Sequence, residues 1–484
     1  MVAIITQKTK GLLMRKLKSD ADALSTSYDL DSSDNKYYIA IGRSEDWNAS
    51  DDVSTESPVI TGREERDFRL SMQSVKTAAD VSFVVPKVPW STGNVYDAYD
   101  DTIVSHGSAS RNGSYVIIDN NQVYLCVRTP FEVTGSEKAS TVAPSGTSTK
   151  PFTTSDGYGW KFLYTVGVSD NSAFTTANFM PVKKLHKLDS DGSGNITAVS
   201  TDVQLKTIQD AAMDRPIAGF ELISGGAGYQ NAPTVTIVGN GLYAQAETQV
   251  LNNAVQSITL KDDSALGTGV KHGRGYDYAH VVFNTVGGDT ITETATARVK
   301  LGPKEGYGAD SRIDLKSKAI MFNTKPTGTE TANAFHVGTS FRQIALMKNL
   351  KDSEGRAFTA QSGNALRRLK LSGHATAFTK GSVLSGTNAA KAIVGHTGVT
   401  ATLGGGAVNE IWYHQNETTG FVGFDSGDTV TDAAGGEGTV SSIARNDVMG
   451  DVDPFSGEVL YIENRAKVVR ATEQTEDIKV IIEI

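Results

Sequence analysis

Cysteine is almost missing: the 484-residue chain carries one, Cys126. A lone thiol excludes an internal disulfide framework and any cysteine-built zinc cluster. It sits in the apolar run Val123-Tyr124-Leu125-Cys126-Val127, which reads as a strand with a buried, unreactive thiol. Long apolar runs are absent too. None approaches the ~18 residues that span a bilayer, so no membrane insertion is expected. Residues 2–5 are too short for the apolar part of a secretory leader, and Lys8 and Lys10 follow them. The expectation is a chain made and kept in a cytoplasm, or one that leaves by a route reading no export signal. A basic surplus is lacking: 46 Lys+Arg against 55 Asp+Glu leave a formal charge of −9, which argues against nucleic acid as a partner.

Catalytic and metal signatures are lacking as well. There is no Gly-x-Ser-x-Gly elbow and no Walker loop. None of His106, His186, His272, His280, His336, His374, His396 and His414 falls in a helical metal-binding pattern. Asp189-Ser190-Asp191-Gly192-Ser193-Gly194-Asn195-Ile196 follows a calcium loop through position eight. Ser200, however, stands where a bidentate Glu is required, so the run reads as a turn between strands. Phe424-Asp425-Ser426-Gly427 contains the Asp-Ser-Gly of aspartic proteases. That chemistry needs two such carboxylates, and the duplicated position is Lys380-Gly381. No catalytic residue, cofactor site or metal site is assigned, and no small-molecule substrate is expected.

What the chain does have is 48 glycines against 12 prolines, in a Ser/Thr/Val-rich background that suggests short strands and tight turns. Residues 4–24 predict the one helix near the start, with Ile5, Leu12, Leu13 and Leu17 on one stripe. From Lys36 onward the text reads β. Residues 37–41 and 80–85 are strands, and 115–118 with 122–127 form a hairpin about Asp119-Asn120-Asn121. Residues 135–156 form a long surface loop. Trp160, Phe162, Tyr164 and Val166 alternate with Lys161, Leu163 and Thr165, the pattern of a half-buried strand.

Two duplications organise the rest. Gly228-Tyr229, Val235-Thr236-Ile237 and Ala244-Gln245-Ala246 recur as Gly275-Tyr276, Val281-Val282-Phe283 and Ala295-Thr296-Ala297. Gly381-Ser382-Val383-Leu384-Ser385-Gly386 recurs without gaps as Gly427-Asp428-Thr429-Val430-Thr431-Asp432. Two copies are too few for a solenoid, so each pair is expected to close on itself. The sequence therefore predicts a mainly β, multidomain protein, with an α+β core that opens on an N-terminal helix. That discontinuous core draws on residues 1–216, 302–370 and 451–484. Two small β-sandwich or barrel modules, 217–301 and 371–450, are inserted at its loops.

Four segments, in order, resemble the baseplate wedge subunit of T-even-type contractile-tail bacteriophages, the gene-eight product family. They are Tyr37-Tyr38-Ile39-Ala40-Ile41-Gly42-Arg43-Ser44-Glu45-Asp46-Trp47, then Asp156-Gly157-Tyr158-Gly159-Trp160-Lys161-Phe162-Leu163-Tyr164, then Phe341-Arg342-Gln343-Ile344. The last is Ser456-Gly457-Glu458-Val459-Leu460-Tyr461-Ile462-Glu463-Asn464-Arg465, continued by Gln474-Thr475-Glu476-Asp477-Ile478. The resemblance covers the discontinuous core and leaves out 217–301 and 371–450. It implies a structural, non-enzymatic protein of the virion tail baseplate, assembled in the host cytoplasm. It further implies a homodimer that contacts other baseplate wedge proteins. The residues that carry it are Arg43, Glu45, Trp47, Asp156, Trp160, Arg342, Tyr461, Glu463, Asn464 and Arg465. Trp47, Trp160 and Tyr461 read as anchors of strand packing. Arg43 with Glu45, and Glu463 with Arg465, read as local ion pairs. Two other functions compete. A tail-associated carbohydrate or host-surface binder is motivated by Trp412-Tyr413-His414, whose rings would stack on a sugar. A cell-wall hydrolase is motivated only by scattered carboxylates.

Overall fold

A computed structural model describes residues 36–53, 61–78, 80–102, 113–132, 134–184, 202–263, 269–327, 334–376, 378–403, 406–442, 449–471 and 474–483. The helix expected over 4–24 and the acidic turn at 189–200 lie outside the described residues. Strands dominate and helices are few, so the protein is mainly β. The chain divides into two compact units, one built on residues 82–320 and the other on residues 36–81 with 321–481.

In the first unit a four-stranded sheet runs in the order Tyr115–Ile117, Gln122–Arg128, Gly159–Thr165, Phe152–Thr153. The hairpin between its first two strands turns at Asn121, whose φ of 62° is one that Asn tolerates better than most residues. The half-buried strand expected at 160–166 is instead covered on both faces. Trp160 and Phe162 pack with Tyr96, Tyr124 and Tyr158, while Leu163 and Tyr164 join Phe83, Tyr115 and Leu125. Even Lys161 is only 1% exposed. The sheet lies between two hydrophobic clusters, so both faces of the strand meet a core and neither meets water. Cys126 is buried within the second cluster and free, and burial raises the pKa of its thiol.

Residues 217–301 carry the first duplication as an intertwined pair. Ile217–Ser224 pairs with Thr296–Leu301, Ala246–Leu251 with Ala254–Leu260, and Thr234–Gly239 with Ala279–Asn284, all antiparallel. The repeated tyrosines are exchanged between the copies. Tyr229 Oη accepts from the Ala295 N–H at 2.9 Å, and Tyr276 Oη accepts from the Ala244 N–H at 3.4 Å. Gly228 makes the turn before Tyr229 at φ +92°, and a Cβ there would lie 1.9 Å from the Thr290 carbonyl oxygen. No other residue fits.

The second unit contains a five-stranded sheet in the order Ser362–Asn364, Met72–Thr77, Tyr37–Gly42, Ser340–Lys348, Glu458–Val469. Its strands come from widely separated parts of the sequence. Tyr38, Ala40, Phe68, Met72, Val75, Ala345 and Met347 share one buried cluster. Each fully buried aliphatic or aromatic side chain there contributes roughly 1.5–3 kcal/mol, which offsets the entropy of closing such long loops. The helix Thr61–Ser71 is tied to the far end of the chain by Arg69, whose guanidinium donates to the carbonyls of Pro454, Ser456 and Gly457.

Residues 367–442 of the same unit form a closed six-stranded barrel. The second duplication is its internal symmetry. Gly381 N–H donates to Val394 O at 2.7 Å and Gly427 N–H to Val440 O at 2.8 Å; Val394 N–H donates to Ser382 O at 3.0 Å and Val440 N–H to Asp428 O at 2.8 Å. Ser385 pairs with Thr431, its own counterpart in the other copy, so a local two-fold axis passes between them. Leu384, Val394, Val430 and Val440 fill the barrel interior, two from each copy.

Candidate functional site

Arg342 is the centre of the second unit's polar chemistry. It lies mid-strand in 340–348 and is fully buried. Its Nε donates to Asp51 Oδ1 at 2.6 Å and Nη2 to Asp51 Oδ2 at 2.7 Å, a two-pronged grip. Nη2 also donates to Asp46 Oδ1. Nη1 donates to the Ser44 carbonyl at 2.7 Å and to Ser340 Oγ at 3.3 Å. A guanidinium has five N–H groups, and each has an acceptor here. The Arg342 grip holds Asp51 below the usual carboxylate range.

The turn that supplies these acceptors follows the strand Tyr37–Gly42. Arg43 takes a positive φ of 58° and its guanidinium lies 4.2 Å from the centre of the Trp47 ring. Trp47 Nε1 donates to the Arg465 carbonyl at 3.0 Å. Gln343 Nε2 donates to Asn464 Oδ1 at 2.8 Å, and Tyr461 Oη to Glu463 Oε2 at 3.1 Å. Eight of the ten family-like residues (Arg43, Glu45, Trp47, Arg342, Tyr461, Glu463, Asn464, Arg465) thus fall around one junction of turn and two strands. Trp47 and Tyr461 are half-buried there rather than sealed in the core.

The ion pair expected between Arg43 and Glu45 gives way to other partners. Glu45 Oε2 lies 3.2 Å from His414 Nε2, and Glu45 Oε1 accepts from Asn416 Nδ2 at 3.3 Å. Burial alone would raise the Glu45 pKa, but His414 beside it, with Arg43 farther off, brings it down to about 2. Arg43 is held within its own turn, where its Nη2 donates to the Asp46 carbonyl at 3.2 Å and its guanidinium covers Trp47, which leaves Glu45 to the barrel. Glu463 takes the Tyr461 hydroxyl, while Arg465 offers its backbone carbonyl to Trp47.

Asp156 and Trp160 lie in the first unit. Asp156 Oδ2 accepts the N–H groups of Thr141 and Val142 at 2.8 and 3.0 Å, and Oδ1 accepts from Thr154 Oγ1 at 2.5 Å. Burial opposes its charge, but these donors outweigh burial and lower its pKa. Trp160 is fully buried, stacked on Tyr158 with ring centres 5.7 Å apart. Asp156 therefore pins the 135–156 loop onto the sheet that Trp160 anchors.

Sequence reasoning missed Asp51, and it did not foresee that Ser44 and His414 join this site. Asp51 is four residues past the end of the motif, and its spacing from Arg342 has no sequence signature. It also missed two buried ionisable groups of the first unit. Asp314 is 0% exposed and accepts the Gly308 N–H at 2.8 Å; burial pushes its pKa up to about 8. Lys161 donates to the Thr149 carbonyl at 2.6 Å, and burial brings its pKa down to about 8.

The sugar-stacking motive at Trp412-Tyr413-His414 is overturned. Trp412 is 3% exposed and the other two are buried as well: on the barrel strand Gly406–His414, Tyr413 joins the barrel core, while Trp412 packs on His336 and His396 and His414 meets Glu45. Among the described residues, no group of three or more His, Cys, Asp or Glu is placed to hold a metal ion. No protein-family model matches the chain, and no curated protein matches it.

Proposed function

We propose that this chain is a structural subunit of a contractile-tail baseplate wedge, resident in the virion tail. It would act by holding a second copy of itself and other wedge proteins in fixed geometry. The observation that carries the reading is the convergence of three family-like segments, near residues 37–47, 341–344 and 456–465, on the Arg342 junction. Every Arg342 donor is committed there, which supports a rigid framework at these segments. A buried, bidentate arginine fixes the angle between a turn and a strand, which is what a load-transmitting subunit requires.

The test is reconstitution. The purified full-length chain is expected to run as a dimer in size exclusion with light scattering, and to co-elute with the other wedge subunits of the same tail. A monomer that captures none of them would sink the proposal.

A further inference from the structure

The barrel meets the rest of the second unit at two histidine contacts of opposite chemistry. At the first, the rings of His336 and His396 stack with centres 3.8 Å apart and planes 16° apart. Trp412 closes the cluster, at 4.5 Å from His336 and 5.3 Å from His396. His336 lies in the segment leading into strand 340–348, while His396 and Trp412 belong to neighbouring barrel strands. His336 Nε2 and His396 Nδ1 are buried with no hydrogen-bond partner.

The charged groups around this stack are cationic. Lys380 Nζ, from the barrel turn, donates to the Gly338 carbonyl at 2.9 Å. Arg470, at the end of the 458–469 strand, donates to the His336 carbonyl at 2.9 Å while pairing with Glu476 at 3.0 Å. On the barrel side, Arg368 sits opposite Trp412 and pairs with Glu410 at 3.5 Å. A proton on either ring would add a cation, face to face with the other ring and near Lys380. At the second contact the arrangement is reversed. His414 Nε2 lies 3.2 Å from the Glu45 carboxylate, so a proton on His414 creates an ion pair.

We propose that the barrel is an acid-responsive element, which loosens at the His336–His396 stack while remaining tied to the 43–47 turn through Glu45 and His414. The direction follows from proton linkage. Burial lowers the proton affinity of His336 and His396, and Lys380 lowers it further. A loosened state with ordinary histidines binds more protons, so acid favours loosening as pH falls below the usual histidine value of 6.5. Glu45, held at about 2 instead of 4.5, keeps its charge well past that point. The Glu45 carboxylate therefore stays charged beside His414 over the range in which the stack loosens, and the barrel pivots on that contact.

Hydrogen exchange followed by mass spectrometry on the full-length protein tests this, after correction for the intrinsic pH dependence of exchange. Protection in 334–340 and 391–398 is expected to fall about tenfold or more between pH 7 and pH 5, the scale set by one linked proton. Protection in 43–47 should hold steady. His396→Gln should weaken the pH dependence, the double variant His336→Gln/His396→Gln should abolish it, and His414→Gln should make acid release the 43–47 turn as well. If a variant does not fold, the histidine ring resonances of the wild type decide the matter. Neutral rings for His336 and His396 below pH 6 in the closed state support the proposal. Ordinary titration near 6.5 with unchanged exchange would overturn it.

Discussion

Arg342 and its two aspartates differ in how much they have at stake. Arg342 is completely buried, whereas the Asp46 side chain is 62% exposed and that of Asp51 24%. Arg342→Ala strips a buried cation of its role and strands the Ser44 carbonyl, so it should destabilise the second unit by about 3 kcal/mol. Asp46→Ala removes a solvent-screened partner and should cost less than about 1 kcal/mol. Urea unfolding of both variants reads the contrast; equal losses would mean the grip on Asp51 is not what holds the junction. Arg342 was legible only through the resemblance carried by Phe341-Arg342-Gln343-Ile344. Its partners were not, because Asp46 and Asp51 are surface-type residues some 290 positions away, and contact across such distances leaves no periodic trace. Asp314 gives a second residue-scale prediction. Its pKa in the folded state is raised from 3.8 to about 8, so folding favours the protonated acid. The stability this contributes is full below pH ~4 and declines as pH rises through about 8. Asp314→Asn keeps an acceptor for the Gly308 N–H without the titration. The variant should gain on the wild type as pH rises from 5 to 8, with a flatter profile of thermal midpoint against pH. Parallel profiles would refute a buried acid at this position.

At the scale of elements, the repeated Gly-Tyr turns were readable because both take a positive φ that favours glycine, which leaves a mark in the sequence. The exchange of tyrosines between copies was not readable, since a repeat shows which strands are alike and not which ones pair. The half-buried assignment of strand 159–165 failed for a related reason: alternation cannot distinguish water from a second core. The exchange predicts an asymmetry. Tyr229→Phe leaves the buried Ala295 N–H without its 2.9 Å acceptor and should cost about 1–2 kcal/mol. Tyr276→Phe removes only a 3.4 Å contact to the half-buried Ala244 N–H, so its cost should be smaller, below about 1 kcal/mol. Thermal unfolding of the two variants ranks them, and the reverse order would contradict the exchange.

At the scale of the whole molecule, the question is whether the duplicated modules are parts of the framework or additions to it. The chain enters and leaves the barrel at one point. Asn364 N–H donates to Asp451 Oδ2 at 2.9 Å, and Asp451 N–H returns to the Asn364 carbonyl at 2.7 Å. The 217–301 module closes likewise, with Ile217 paired to Leu301 and the Gly302 N–H on the Pro216 carbonyl at 2.7 Å. Entry and exit held side by side are what insertion into an existing loop leaves behind, because the parent backbone need not move. The barrel has its own closed core, and the five-stranded sheet has another. Replacing the barrel with a short glycine linker between residues 364 and 451 should therefore leave a folded protein. Its unfolding transition should be cooperative, with a smaller denaturant slope in proportion to the lost surface. The severed ties are those at Glu45, at Arg66, which pairs with Glu417 at 2.6 Å near the surface, and at His336, whose ring loses its stacking partners His396 and Trp412; the loss is expected mainly from the last. An insoluble or non-cooperative product would show that the sheet depends on the barrel, and that the duplicated strands belong to the framework itself.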